Sequence, residues 1–207
     1  MTYDSATLHL DRYISDDNTI LSSHSTQETP NSPDGPNQLQ QYEGAITDIC
    51  TDVDTIIYYT VAYNYDITSL LNSTWLILEV GLAERERVDN DYYVGGTTVN
   101  GWSFHLANCV TFNKICIWAQ HRSVIKLKTP ISDNIVGTNV NGKLGVVIDR
   151  VRDEFTLVIN NEIVYTFQNV TSDVQLCPVF GVYNPDWVKT KLQISNFYNF
   201  TNVLLFR

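Results

Sequence analysis

Ser103 and His105 are the residues whose types and spacing come nearest to catalytic chemistry. They lie two apart in the stretch 101–105 (GWSFH), and on a β-strand two such positions share a face. A serine beside an imidazole is typical of nucleophilic hydrolysis, but a nucleophile elbow needs a glycine two residues after the serine, where His105 stands. No acidic residue is placed by the sequence to orient the imidazole. We therefore interpret the pair as polar residues on an outward-facing strand surface.

Carboxylates, glycines and histidines indicate no other catalytic site. Glycosidase chemistry needs two carboxylates that face each other across a cleft, and Glu79 and Asp149 lie within predicted strands, where hydrogen-bonded structural roles suit them better. Gly95-Gly96 is followed by neither a helix nor a Lys-Ser/Thr pair, so no phosphate-binding loop is indicated. We expect no catalytic residue, no metal and no cofactor. The histidines, which lack the spacing of convergent zinc ligands, are His9, His24, His105 and His121.

The four cysteines contain no C-x-x-C pair, which argues against a structural zinc site. Their number is low for a secreted scaffold held by disulfides, so we expect reduced, buried thiols in a cytoplasmic protein. Sequons for N-glycosylation begin at Asn72, Asn169 and Asn199, and carry little weight because the polar start 1–4 (MTYD) is not a signal peptide. The cysteines are Cys50, Cys109, Cys116 and Cys177.

Composition limits the class of protein further. The 207 residues have a formal net charge of −10, with 17% charged and 43% hydrophobic residues, a balance that excludes a disordered chain. Lysine and arginine do not cluster, which argues against a general nucleic-acid binder. No apolar run approaches the roughly 18 residues that cross a bilayer, so we expect no membrane insertion.

Apolar residues alternate with a period of two along the chain, whereas no amphipathic helical stretch exceeds a turn or two. Asn160-Asn161 joins two predicted strands, because asparagine tolerates the positive φ of tight hairpin turns. Short strands without intervening helices pair antiparallel and cover their apolar faces against each other, which predicts an all-β, two-sheet sandwich. The predicted strands are 6–10, 19–21, 55–65, 75–82, 101–110, 115–118, 124–127, three within 143–167, 179–183 and 191–197.

Blocks of sequence in chain order resemble the PRY–SPRY domain that ends many tripartite-motif (TRIM) proteins. The strongest blocks are 144–149 (LGVVID), 155–160 (FTLVIN) and 176–183 (LCPVFGVY). The chain departs from the family pattern in its long loop 22–41 and in Thr60, which stands where glutamate is common. The weaker blocks are 7–11 with 14–20, 58–61, 78–83 and 101–104.

The resemblance implies a concanavalin-like SPRY sandwich in a single domain, 1–207. PRY-like strands would lie in 1–21, a long exposed loop in 22–43 and the SPRY core in 44–207. The implied function is non-catalytic recognition of a protein or peptide through end loops, as the target-binding domain of a TRIM-type E3 ubiquitin ligase whose RING lies elsewhere in a longer parent. The alternative is a cytoskeletal or scaffold adaptor of the same fold without ligase activity.

The domain alone is expected to be a monomer, and a TRIM parent would dimerise through a coiled coil outside these residues. Matched onto this chain, the resemblance places partner contacts in the loop after the block 78–83, on the strand after Trp102, and after the last block. Exposed tyrosine and tryptophan are added as aromatic anchors. The partner-binding residues predicted in this way are Arg85, Arg87, Tyr92, His105, Tyr183, Asn184 and Trp187.

Two alternatives for the aromatic anchors stay open at this point. Trp187 would either face a partner or fold back on the sheet edge. Tyr92 and Tyr93 would either both face a partner, or one of them would pack inward beside Gly95-Gly96. Trp75 and Trp102, by contrast, are expected in the core, because large aromatics at strand period are usually buried.

Overall fold

The computed structural model describes residues 1–201, and the end of the predicted core, 202–207, lies outside them. The described part forms strands and three short 3-10 segments, Ser5–Thr7, Arg85–Asn90 and Val110–Phe112, as expected for an all-β chain. The strands are β1 (Tyr13–Ile14), β2 (Ile20–Ser22), β3 (Gly44–Ile46), β4 (Thr55–Ile67), β5 (Leu76–Glu84), β6 (Trp102–Cys109), β7 (Lys114–His121), β8 (Val124–Asp133), β9 (Asn139–Asp149), β10 (Glu154–Ile159), β11 (Glu162–Phe167), β12 (Leu176–Val182) and β13 (Val188–Thr201).

The strands form two antiparallel sheets, which confirms the predicted sandwich. The seven-stranded sheet has the order β1-β2-β13-β4-β9-β10-β11, and the six-stranded sheet has the order β3-β12-β5-β6-β7-β8. Aromatic rings fill the space between them: Phe104 of one sheet lies 4.9 Å from Phe155 and 5.1 Å from Phe167 of the other, between ring centroids. Trp102 is also buried in this core, as expected.

Local turn chemistry was predicted correctly in one place and wrongly in another. Asn160 and Asn161 have φ angles of 53° and 66° in the hairpin between β10 and β11. The predicted strand 6–10 is wrong, because the Asp4 carboxylate accepts a hydrogen bond from the Ala6 N–H at 3.1 Å and starts a 3-10 turn. The loop 22–43 is exposed over most of its length, but Leu39 and Tyr42 near its end are buried.

The expectation of reduced thiols is wrong. Cys50 forms a disulfide with Cys177 at a sequence separation of 127, and Cys109 forms one with Cys116 across the neighbouring strands β6 and β7. Both pairings depend on how strands are placed in the sheet, which the spacing of cysteines along the chain does not reveal.

A loop covers the outer face of the six-stranded sheet. This covering loop, residues 91–101, follows the 3-10 segment Arg85–Asn90 and returns the chain to β6. Glycines allow the close contact: a Cβ added to Gly81 of β5 would lie 2.4 Å from Val94 Cγ2, and one added to Gly95 would lie 3.0 Å from Ser103 Cβ. Side chains on this outer face are therefore enclosed between the sheet and the loop.

Candidate functional site

A surface depression lies at the end of the six-stranded sheet where β5 ends and β12 begins. It consists of three adjoining hollows of about 680, 450 and 310 Å³, of which the first two share Arg85 and Glu86 and the last two share Ala6 and Asn37. We call this depression the Arg85 groove. Its remaining walls come from the disulfide Cys50–Cys177, from 173–175 and from 33–39.

Ion pairs hold the two arginines of the groove. Arg85 pairs through Nη2 with the Asp4 carboxylate and donates from Nη1 to the Thr47 carbonyl at 3.5 Å. The Arg87 Nε lies 2.7 Å from Glu84 Oε2. Both guanidinium groups remain partly open to solvent, so the pairs position them without burying them.

Asp89 attaches the end of the long loop, 22–43, to the 3-10 segment Arg85–Asn90 that carries the two arginines. Its Oδ1 accepts hydrogen bonds from the N–H groups of Gln40, Gln41 and Tyr42 at 2.8, 2.7 and 3.1 Å. Hydrogen bonds to an ionised carboxylate are among the stronger ones in proteins. The long loop is therefore fixed beside Arg85 as one wall of the groove, a role that its composition did not reveal.

The groove carries more negative than positive charge. Five carboxylates line it against two guanidinium groups, and Arg85 and Arg87 already pair with two of the five. Glu86 and Asp173 are exposed and form no ion pair with another residue of the range 1–201. The unbalanced carboxylates favour a cationic ligand. The carboxylates are Asp4, Asp34, Glu84, Glu86 and Asp173.

Asn184 and Trp187 lie at the opposite end of the sheet from the groove. The Asn184 Nδ2 donates to the Leu76 carbonyl at the start of β5, at 2.8 Å, whereas Arg85 follows the end of that strand. Asn184 and Arg85 therefore do not border one continuous surface, although the resemblance implies partner contacts at both. Trp187 is half-buried and packs against Trp75 with ring centroids 4.6 Å apart, and its role as a partner anchor stays a prediction.

Tyr92 and Tyr93 take different positions on the covering loop. Tyr92 is 53% exposed, while the half-buried Tyr93 ring lies against Gly95, 3.3 Å from where its Cβ would be. One tyrosine thus packs inward beside Gly95-Gly96, and Tyr92 is the one that a partner can reach.

His105 and Tyr183 are buried, at 3% and 1% exposure. His105 and Tyr183 lie under the covering loop. The expectation that Ser103 and His105 face solvent is therefore wrong, although these two residues do lie on the outer face of the sheet. Of the predicted partner-binding residues, His105 and Tyr183 offer no surface in the folded chain. Binding at the others remains a prediction, which the geometry concentrates on Arg85 and Arg87, with the exposed Tyr92 farther along the same loop.

The enclosed residues form a hydrogen-bonded network around Glu79. Its carboxylate accepts from the Ser103 hydroxyl, from the Tyr183 hydroxyl at 2.9 Å and from the Val94 N–H at 3.1 Å. The Ser103 Oγ also lies 3.0 Å from His105 Nδ1. Glu79 therefore ties the sheet, the covering loop and the chain after β12 together, which is the structural role expected for it.

Burial dominates the ionisation of this network. It raises the pKa of the Glu79 carboxyl above its ordinary value, against the opposing effect of the hydrogen bonds that the carboxylate accepts. Burial lowers the pKa of His105 to about 3. The pKa of Tyr183 is raised well above its usual range by burial and by the nearby charge of Glu79. At neutral pH the histidine is therefore uncharged.

The order of these groups does not match a catalytic triad. In a triad the histidine lies between serine and carboxylate and removes the hydroxyl proton. Here Ser103 lies between Glu79 and His105, and its hydroxyl donates a hydrogen bond to the carboxylate. The serine is also fully buried, so a substrate would have to displace the covering loop to reach it.

Within 1–201, no group of three or more His, Cys, Asp or Glu side chains is arranged to hold a metal ion. No helix of that range is long and apolar enough to cross a membrane. The second potential glycosidase carboxylate, Asp149, instead accepts hydrogen bonds from the Val151 and Arg152 N–H groups in a turn, both at 3.0 Å.

Solved structures share the fold of this chain at low sequence identity. The TRIM65 PSpry domain matches with a TM-score of 0.61 at 15% identity over 94% of this chain and 91% of that one. Stonustoxin matches with a TM-score of 0.60 at 15% identity over 94% of this chain and 28% of that one. A lectin from Bauhinia forficata, solved with GalNAc, matches with a TM-score of 0.60 at 13% identity over 92% and 97%.

No protein-family model and no curated protein matches the chain. The structural matches establish a β-sandwich of the SPRY type, a fold that the lectin shares. Of these matches, only the lectin is described with a bound ligand, GalNAc.

Proposed function

We propose that this chain is a non-catalytic protein-recognition module that binds a basic segment of a partner protein in the Arg85 groove. The observation that carries the proposal is the groove itself, an open charged depression of three hollows held by ion pairs on a rigid sheet end. A rigid scaffold that presents loops loses little conformational freedom on binding, and specificity is then set by the loops.

The lining of the groove favours extended basic side chains. The exposed Val174 contributes apolar surface to one hollow, and the almost fully buried Leu39 and Ile46 line another, beside carboxylates in both. Lysine and arginine place apolar stems on such surface and keep the charged end with a carboxylate. The net charge of −10 attracts the same kind of partner over longer distances.

The resemblance to TRIM proteins extends the proposal to the parent protein. In that reading the domain selects targets for a cytoplasmic RING-type E3 ubiquitin ligase, and the alternative is an adaptor without ligase activity. Two disulfides oppose a cytosolic location for either kind of parent, because the cytosol keeps thiols reduced. A RING and B-box cysteine–histidine pattern elsewhere in the parent would support the ligase, and a parent without one would support the adaptor.

A peptide-binding titration tests the groove. Fluorescent peptides rich in lysine, arginine and leucine are titrated with the full chain, alongside glutamate-rich peptides of equal length. We expect binding of the basic peptides only. Glu86→Gln/Asp173→Asn should weaken it roughly 3- to 10-fold, because an exposed ion pair contributes a few tenths to about 1 kcal/mol. The affinity should also depend less on salt in this variant.

Glu162→Gln/Asp186→Asn is the matched control, since it removes two exposed charges far from the groove, one on β11 and one at the opposite end of the six-stranded sheet. This control variant should bind the basic peptides almost as tightly as the wild type, with the same small loss of affinity for each of them. Equal weakening by both variants would show attraction to net charge alone. A loss confined to the control would move the site to the Asn184–Trp187 end, and either result would overturn the groove assignment.

A further inference from the structure

We infer that this chain matures in an oxidising secretory compartment, where both disulfides form and where Asn72 and Asn169 receive N-linked glycans. The inference does not depend on the Arg85 groove or on its ligand. It follows from two independent features of the structure, the pairing of the cysteines and the placement of the sequons.

All four cysteines are paired, and the two disulfides lie in different parts of the six-stranded sheet. Cys50–Cys177 packs with Val88 and Val94 beneath the segment that carries Arg85, and Cys109–Cys116 packs beside Trp118. Disulfides of this structural kind persist in secreted proteins and are rare in the cytosol. The pairing thus opposes the cytoplasmic location that the sequence pattern favoured, which remains an untested prediction.

The sequon at Asn72 lies in the loop between β4 and β5. Asn72, Ser73 and Thr74 are all exposed. The backbone is held at this point, because the Ser73 carbonyl accepts from Trp75 N at 2.7 Å and from Asn108 Nδ2 at 3.0 Å. A large hydrophilic glycan on Asn72 would extend into solvent without disturbing a strand.

The sequon at Asn169 lies in the loop between β11 and β12. Val170 is fully buried, and its N–H donates to the Asp153 carbonyl at 2.8 Å, whereas Asn169 and Thr171 on either side are exposed. Asn169 has a φ of 59°, in the left-handed region. The buried valine fixes the turn and leaves both functional sequon side chains facing solvent.

Neither Asn72 nor Asn169 lines the Arg85 groove, so glycans there are compatible with an open groove. The third sequon, at Asn199, ends at Thr201, whose side chain lies outside the part of the chain that the structure describes.

The chemistry uses the ordinary co-reactants of that compartment. In glycan transfer the asparagine Nδ2 forms a bond to the anomeric carbon of a lipid-diphosphate oligosaccharide, the bond from that carbon to the diphosphate oxygen breaks, and Nδ2 loses a proton. In each disulfide two thiols lose two protons and two electrons to an oxidised disulfide-exchange protein, which is reduced to its dithiol form.

Peptide mapping of the protein from its native cells tests the inference. Free thiols are alkylated before digestion without reductant, and glycans are removed with a glycosidase that converts the modified asparagine to aspartate. We expect linked peptides for Cys50–Cys177 and Cys109–Cys116, no alkylated cysteine, and conversion at positions 72 and 169. Alkylated cysteines, or an unmodified asparagine at both positions, would overturn the inference.

A recombinant arm separates sequon chemistry from folding. The full chain is secreted from eukaryotic cells behind an added signal peptide, as wild type, Thr74→Ala, Thr171→Ala, Thr74→Ser and Thr171→Ser. Each alanine variant should lose one glycan, and each serine variant should keep it, because serine still completes the sequon. Secreted wild type without glycans would show that the folded loops do not permit modification and would refute both sites.

Discussion

The two outer faces of the sandwich differ in whether another part of the chain covers them. On the six-stranded sheet, Glu79, Ser103 and His105 are almost fully buried under the covering loop. On the seven-stranded sheet, Tyr198 and Phe200 are 52% and 47% exposed in a row of stacked rings. The same outward strand position therefore gives a buried polar network in one sheet and a solvent-exposed surface in the other.

The covered face contains most of the hydrogen bonds and disulfides that connect separate segments of the domain. Glu79 connects three chain segments, and both disulfides lie in the clusters that surround the network. The open face has cross-strand pairs instead, such as Tyr58 and Tyr198, whose ring centroids are 6.0 Å apart. We conclude that substitutions on the covered face test stability, while those on the open face are close to neutral.

Glu79→Ala should produce the largest loss of stability of the single changes compared here. It leaves the Ser103 and Tyr183 hydroxyls and the Val94 N–H without their acceptor, and buried groups that lose a partner cost about 1–3 kcal/mol each. We expect the free energy of unfolding to fall by about 4 kcal/mol, measured by urea titration with an unchanged m-value.

Glu162→Ala, an exposed glutamate on β11, is the control for that measurement and should change stability by less than about 0.5 kcal/mol. Equal losses in the two variants would mean that the covering loop opens in solution and that the two faces do not differ in kind.

This contrast also explains which features could be predicted from the sequence. Alternation along β4, β9 and β10 depends only on neighbours two residues apart, so these three strands and the sandwich were predicted correctly. The same pattern placed Ser103 and His105 on the outer face, and that was correct too. Their burial depends on the covering loop, which reaches them because Gly81 and Gly95 let it approach, and no local pattern records that contact.

The candidate site was predicted in part for the same reason. Arg85 was found because it follows a recognisable strand block, but Asp4 and Asp89 were missed. Asp4 reaches the groove from 81 residues away in the chain, and Asp89 binds backbone groups about 48 residues away. The pairing of Cys50 with Cys177 spans a still larger separation of 127. Contacts of this kind follow from strand order, which composition and spacing do not specify.

The pH dependence of stability sharpens the comparison. The pKa of His105 is about 3 in the folded chain and about 6.5 when unfolded. The unfolded state therefore binds a proton first, so stability is fully present above about pH 6.5 and is lost as the pH falls toward 3. We expect the wild type to lose up to about 1.4 kcal/mol per pH unit in this window relative to His105→Gln.

Glu79 acts in the opposite direction over part of that window. The pKa of Glu79 is raised in the folded chain, so the folded state takes up a proton first as the pH falls. The contribution of Glu79 to the free energy of unfolding therefore grows as the pH falls through the folded pKa toward 4.5. Urea titrations at several pH values on wild type, His105→Gln and Glu79→Gln separate the two slopes. A stability difference between wild type and His105→Gln that does not vary between pH 7 and 4 would show that His105 is solvated, and the covered face would then be open.

The smallest effect is expected on the open face. Tyr198→Ala removes a ring that stacks on Tyr58 and Phe200 but is already about half exposed to solvent. A cross-strand pair of this kind contributes about 0.2–1 kcal/mol, so the loss in free energy of unfolding should stay below about 1 kcal/mol, and Tyr198→Phe should restore it because the ring remains. A loss as large as that of Glu79→Ala would show that the exposed rings are covered in solution, for instance by a second copy of the chain. Concentration dependence of the unfolding midpoint then distinguishes such a dimer from a covering segment of the same chain.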